Sequence, residues 1–477
     1  MRDSIIFILT GVVILVAGIG GFAAWWAYSD TGGWPVRDAE NYKITRPVGE
    51  GPAEASSVVT TGPGEPAENV WDAWDCYRGP EFNLVSPEQT ELADSWPDGG
   101  PGVLWTIKVG EGYASPASHG GKLFMLDYDH EKQGDVLRCL SLADGRDIWR
   151  HFYKVPTRGD HGVTRTIPAV TSEYVVTISP QCYLLCADAQ TGKYLWSKDL
   201  VSEYGTAVPN WYAGQCPIID DDKAIIAPAG KKLMVAFDCK SGKEVWTTPN
   251  PLGWKMTHSS ITPMDFDGQR MYVYCASGGV VGVDAETGRI LWEHPGWIVP
   301  TANVPAPVVV GDDRIFVTGG YGAGSRMLRL KRLDGGGIVA DVDYSLSQRV
   351  FSTYQQTPIY YKKVLFGVMT KKAGGLKEQL VCFEPDSKRM IWSSGKKNRF
   401  GWGPWVVADD KIFLVNDTGI LTMAEASTDG YRQLGRASVL DHAHETWGPL
   451  TIIAGRLLLR DLDRLVCIDL RKVQEAE

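Results

Sequence analysis

His442 and His444 stand two residues apart, a spacing that puts two imidazoles on one face of a strand and could begin a metal site. No third histidine or cysteine stands near them in the sequence, so no metal site is expected. "GGYGAGS" (319–325) has the glycine density of a phosphate loop, but no helix follows it, and a hairpin turn accounts for it better. "RGD" (158–160) reads as a loop tripeptide, and neither G-x-S-x-G nor H-E-x-x-H occurs. No catalytic residue is therefore expected. Any chemistry must come from side chains that the fold brings together from a distance.

The elements that would position them repeat. "DAQTGKYLW" (188–196), "DCKSGKEVW" (238–246) and "DAETGRILW" (284–292) share an acidic residue, a Thr/Ser-Gly-Lys/Arg turn and a tryptophan, and "LADGRDIW" (142–149) and "EPDSKRMIW" (384–392) are looser copies. Each reads as a turn followed by a strand. A second landmark, a proline that in all but one case (Ile167 before Pro168) follows a small or polar residue, recurs at Pro116, Pro168, Pro217, Pro263, Pro307, Pro358, Pro404 and Pro449. That makes eight units. Each continues into β-rich runs such as "DKAIIAPAG" (222–230) and "DKIFLVND" (410–417), which gives four short strands per unit. Four-stranded units with a period near fifty predict an all-β, eight-bladed β-propeller.

The eighth unit stops at "LVCIDL" (465–470) without an outer strand, and "VLWTIKVG" (103–110) can supply it, with Trp105 in the tryptophan slot. Closing the ring this way removes exposed sheet edges. Trp105, Trp149, Trp196, Trp246, Trp292 and Trp392 are expected to dock between neighbouring blades, with units five and seven lacking the tryptophan. Cys139, Cys186, Cys382 and Cys467 share one slot with Ala236 and Gly282, which marks a small-residue core position rather than a disulfide framework. Cys76 has no place in this pattern.

Residues just before each repeat proline start the innermost strands, so they should ring one mouth of the central channel. They are Tyr113, Arg165, Gln215, His258, Asn303, Gln355, Trp402 and Trp447. This polar and aromatic ring is the expected ligand- or partner-binding site, with Arg165 offering a planar fork and Trp402 a stacking face.

"TGKYLW", "SGKEVW" and "TGRILW" resemble the tryptophan-docking repeats of the pyrroloquinoline quinone (PQQ)-like β-propeller family, and "WDCYRGPEFNLVSPEQTELADSWPDGGPGVLW" (74–105) is similar to the lead-in of its bacterial members. The resemblance covers residues 74–470 and implies one of two functions. One is a non-catalytic propeller that binds partner proteins in the cell envelope, similar to the lipoprotein of the outer-membrane barrel-assembly machinery. The other is a PQQ- and calcium-dependent alcohol or sugar dehydrogenase. The adjacent Cys-Cys pair and C-x-x-C-H haem motif typical of larger alcohol-oxidising members are absent; the nearest spacing is Cys182-x-x-x-Cys186. The protein-binding scaffold without cofactor is therefore the expectation, and the dehydrogenase the alternative.

Composition bounds the partners. A net charge of −9 argues against nucleic acid, which needs a basic face. Residues 5–28 carry no charge and as a helix would be about 36 Å long, so 1–29 is expected to be a membrane anchor that stays in the mature protein. Trp25, Trp26 and Tyr28 sit where an interfacial belt would fall. Residues 30–70, rich in Gly, Pro and Glu, read as a flexible linker, 71–470 as the propeller and 471–477 as a tail. The family resemblance puts the propeller on the extracytoplasmic (periplasmic) side.

Overall fold

The computed structural model describes residues 51–70, 73–87, 89–158, 162–443 and 445–472. The expected anchor lies outside the described residues, among which no helix is long and apolar enough to cross a membrane.

Eight antiparallel sheets follow one another along the chain. Blade 1 is built on strands Ala117–His119, Lys122–Asp129, Gly134–Ser141 and Asp147–Lys154. Blade 8 closes as expected: Val103–Lys108 pairs with Arg464–Asp469, and Trp105 faces Cys467. The second and third strands of a blade are buried on both faces, as in Val364–Val368 and Leu380–Glu384 of blade 6, because another sheet lies on either side. They therefore read as continuous apolar runs rather than alternating ones. A core cluster such as that joining Trp149, Val175 and Leu185 sits between two sheets.

The repeat motif works across the seam. Asp188 Oδ1 accepts from the Thr191 amide at 2.7 Å and its hydroxyl at 2.8 Å, and Asp284 does the same for Thr287 at 2.8 and 2.6 Å. The turn that results needs a left-handed residue, and Gly192, Gly242 and Gly288 supply it with φ near +70° (71, 67 and 72°). The tryptophan of the preceding blade lies on that glycine: Trp149 on Gly192, Trp196 on Gly242, Trp246 on Gly288. For two of them the indole N–H then donates to the carbonyl after the acidic residue, from Trp196 to Cys239 at 2.7 Å and from Trp246 to Ala285 at 3.1 Å, whereas the Trp149 indole N–H has no acceptor. Trp105 and Trp392 also donate across their seams, to Leu142 O at 3.1 Å and Ser427 O at 2.9 Å. Trp292, facing a longer hairpin, donates to Met271 Sδ at 3.3 Å instead.

The small-residue slot is the cross-strand partner of this tryptophan: Cys139 faces Trp149, Cys186 faces Trp196, Ala236 faces Trp246 and Gly282 faces Trp292. All nine cysteines are free and buried. Units five and seven lack the tryptophan in their own outer strands, as expected, yet each of these seams still holds a ring. Tyr344 holds the position in blade 5 and donates its hydroxyl to Pro385 at 3.0 Å, while Trp96 from the lead-in lies on Gly435 of blade 7.

Two lead-in strands extend blade 1 to six. Val58–Thr61, placed by the sequence in a flexible linker, pairs with the outer strand of blade 1 from Thr61↔Trp149 to Val58↔Phe152. All four of its residues are exposed, so backbone hydrogen bonds hold it rather than apolar burial, and composition carried no sign of it. Ala73–Trp74 pairs with the innermost strand, Trp74 opposite Ser118.

Candidate functional site: the funnel mouth

From Trp74 the lead-in crosses the axis of the ring. The Val170 amide of blade 2 donates to Asp75 O at 2.8 Å, Arg78 reaches Thr262 of blade 4 and Pro307 of blade 5, and the Tyr77 and Thr357 hydroxyls lie 3.3 Å apart. Val407 of blade 7 then exchanges backbone bonds with Leu84 and Ser86 at 2.9 and 2.8 Å. These contacts fall between one residue before the repeat prolines and three residues past them, below the predicted mouth. The chain enters and leaves by the opposite face, where Ala67 bonds Gly121 and Leu92 bonds Asp409. The channel is thus a cup with a floor and one open mouth.

Around that mouth the crossover loops bring together four of the eight predicted residues. Trp402 and Trp447 have ring centroids 5.2 Å apart, Trp447 stacks on Tyr113 at 5.5 Å and 28°, and the Arg165 guanidinium lies 5.0 Å over the Tyr113 ring. The arc continues with residues the sequence reading missed. Tyr354 meets Trp402 at 4.9 Å, and Tyr321, from the glycine-rich hairpin, meets Tyr354 at 5.3 Å. Five rings and one guanidinium thus run through blades 5, 6, 7, 8, 1 and 2 in order.

Acidic and basic groups hold the arc. Asp417 Oδ1 accepts from the Trp402 amide at 2.8 Å and the Trp447 indole at 2.9 Å, joining two crossover loops. Glu445 accepts a short hydrogen bond from the Tyr113 hydroxyl, and Gln356 Nε2 donates to Trp447 O at 2.9 Å. Lys371 Nζ sits 5.2 Å over the Trp402 ring. Burial pushes the Tyr113 phenol well above its ordinary value, so it is a neutral donor.

The other predicted residues fare differently. Tyr354 takes the position given to Gln355, one residue earlier. Gln215 is wholly buried and bonds both ways with the Ala227 backbone, its Oε1 accepting at 2.8 Å and its Nε2 donating at 3.3 Å, so it braces blade 3. Arg165, expected as a fork for a ligand, donates Nε to Trp211 O at 2.5 Å and Nη2 to Gly162 O at 3.2 Å. His258 lies at the polar side of the mouth, where burial, helped by the Arg165 charge, lowers its pKa to about 4. Asn303, 5% exposed, has an Oδ1 with no hydrogen-bond partner. His442 is exposed, and His444 and residues 159–161 lie outside the described residues.

Calcium takes six to eight oxygen ligands. Among the described residues no group of three or more His, Cys, Asp or Glu is placed to hold a metal ion.

A closed eight-bladed ring with tryptophan-docked seams defines a PQQ-like β-propeller. Residues 132–393, more than half of the chain, match the family described as outer membrane protein assembly factor BamB, and the chain belongs to that family. It is similar to the solved structure of BamB from Moraxella catarrhalis at 13% identity and a TM-score of 0.53, over 77% of this chain and 99% of that one. It also aligns with a quinohemoprotein alcohol dehydrogenase from Pseudomonas putida at 13% identity and a TM-score of 0.42, over 86% and 81% of the two chains. A curated polyvinylalcohol dehydrogenase from a Pseudomonas species is 26% identical across 32% of this chain, and the match spans 30% of that relative's length.

Proposed function

We propose that this chain is a non-catalytic propeller that captures a protein partner at its open mouth and works as a scaffold in the cell envelope, anchored to the membrane through residues 5–28. The observation that carries the reading is the aromatic arc from Tyr321 to Tyr113 around a channel with one open end. Tyr321, Trp402 and Trp447 are half-buried and Tyr113 and Tyr354 buried against them, and aromatics that are already ordered suit protein recognition because they add contact area at little entropic cost. Membership in a family described as an assembly factor supports a protein partner, and the reading requires no cofactor.

A second reading, a quinoprotein dehydrogenase, is favoured by the partial match to polyvinylalcohol dehydrogenase. Pull-down with the full chain from detergent-solubilised membranes, beside Trp402→Ala and Tyr354→Ala variants, tests the first reading. Capture of a defined partner by the parent and its loss in both variants is expected. Alcohol-dependent dye reduction after addition of PQQ and calcium would instead establish the second.

A further inference from the structure

Three arginines are buried among the described residues, and two of them are compensated. Arg138 pairs with Asp127 at 3.0 Å and Asp147 at 2.9 Å. Arg460 donates to the carbonyls of Asp461, Ala114, Gly110 and Leu462 at 2.7 to 2.9 Å. Arg78, in the floor of the cup and 2% exposed, has neither arrangement. Its Nη1 donates to Pro307 O at 3.2 Å and its Nη2 to Thr262 Oγ1 at 2.6 Å, while Nε is buried without an acceptor. No described carboxylate forms an ion pair with it. The titratable groups beside it are Tyr77, Cys76 and Cys216, and burial raises the pKa of each, so all three are neutral at neutral pH.

A guanidinium keeps its charge in a protein, and a buried charge without a counter-charge is costly. We propose that the channel floor binds a small anion, of halide or carboxylate size, against Arg78, with the unpartnered Nε–H as its donor. The anion neutralises the only buried arginine, among the described residues, left without a carboxylate or a set of carbonyls. It would also fasten the lead-in to blades 4 and 5, which Arg78 already bridges. This site is independent of the partner-binding reading of the mouth above it.

The test uses bromide on the full chain. Replacing gluconate, a larger anion, with bromide at constant ionic strength should raise Tm by about 2 °C once bromide exceeds its Kd roughly tenfold. Crystals soaked in bromide should show anomalous density in hydrogen-bond range of Arg78 Nε. Arg78→Gln should lose the bromide-dependent rise, and Arg78→Lys should retain part of it. If Arg78→Gln does not fold, the wild-type anomalous density decides. Its absence at the guanidinium overturns the proposal whatever Tm does, as does density confined to other sites.

Discussion

The indole of Trp196 lies on Gly242 of the next blade, so close that a Cβ at Gly242 would come within 2.6 Å of the ring. One contact thus combines a left-handed turn, an apolar seam and the hydrogen bond to Cys239. Gly242→Ala should destabilise the fold by about 2–4 kcal/mol, from strain at positive φ together with overpacking. Trp196→Ala should lose about 3–5 kcal/mol through the cavity it leaves. Urea unfolding of both variants measures this, and a neutral Gly242→Ala would mean that the seam is loose.

The slot facing each docking tryptophan of the repeat holds a small residue, Cys, Ala or Gly, whereas Met327 faces Tyr344 in blade 5. Cys186→Leu should cost about 1–3 kcal/mol, against a smaller loss for Cys186→Ala. Burial pushes the Cys139, Cys382 and Cys467 thiols up to about 12, and thiolate is the reactive form. At pH 8 the native protein should leave these cysteines unlabelled by a thiol reagent, whereas all nine should react in denaturant.

Arg165 is a brace before it is a ligand fork. Its bonds to Trp211 O and Gly162 O tie two crossover loops to the mouth, so Arg165→Ala should lower stability by about 2–3 kcal/mol. Thermal and urea unfolding beside Trp402→Ala check the contrast, since the half-buried Trp402 should be the less costly loss.

His258 gives the mouth a pH dependence. Its pKa falls from 6.5 in the unfolded chain to about 4 in the fold, so between these values the unfolded state binds more protons. The stability tied to neutral His258 is complete above pH 6.5. It declines as pH falls toward 4, by up to about 1.4 kcal/mol per pH unit. Unfolding midpoints at pH 7, 6 and 5 should fall less steeply in His258→Gln than in the parent, and parallel slopes would contradict this origin.

Much of the ring was legible because it is periodic. The repeat prolines located eight blades, and the missing outer strand of the last blade pointed to Trp105, which pairs opposite Cys467. Radial symmetry also brought Tyr113, Arg165, Trp402 and Trp447 to one mouth. Departures from the period were not legible. Tyr344 does a tryptophan's work with a hydroxyl, and Trp96 fills a seam from outside the repeat. Gln215 turned inward because the Ala227 backbone offered it both a donor and an acceptor. The axial segment has no period at all, and its position depends on partners such as Thr262 and Pro307, 184 and 229 residues away.

The order of synthesis runs against the order of assembly. The residues that floor the cup and close the ring are made early, yet their partners include the last strand of the chain. About 360 residues separate Trp105 from Cys467, so at roughly 5–20 residues per second the closing strand waits some 20 to 70 s for its mate. Until then its backbone is an open edge. Whatever shields Val103–Lys108 in that interval, by occupying it or by delaying collapse, governs how much of the chain reaches the closed ring.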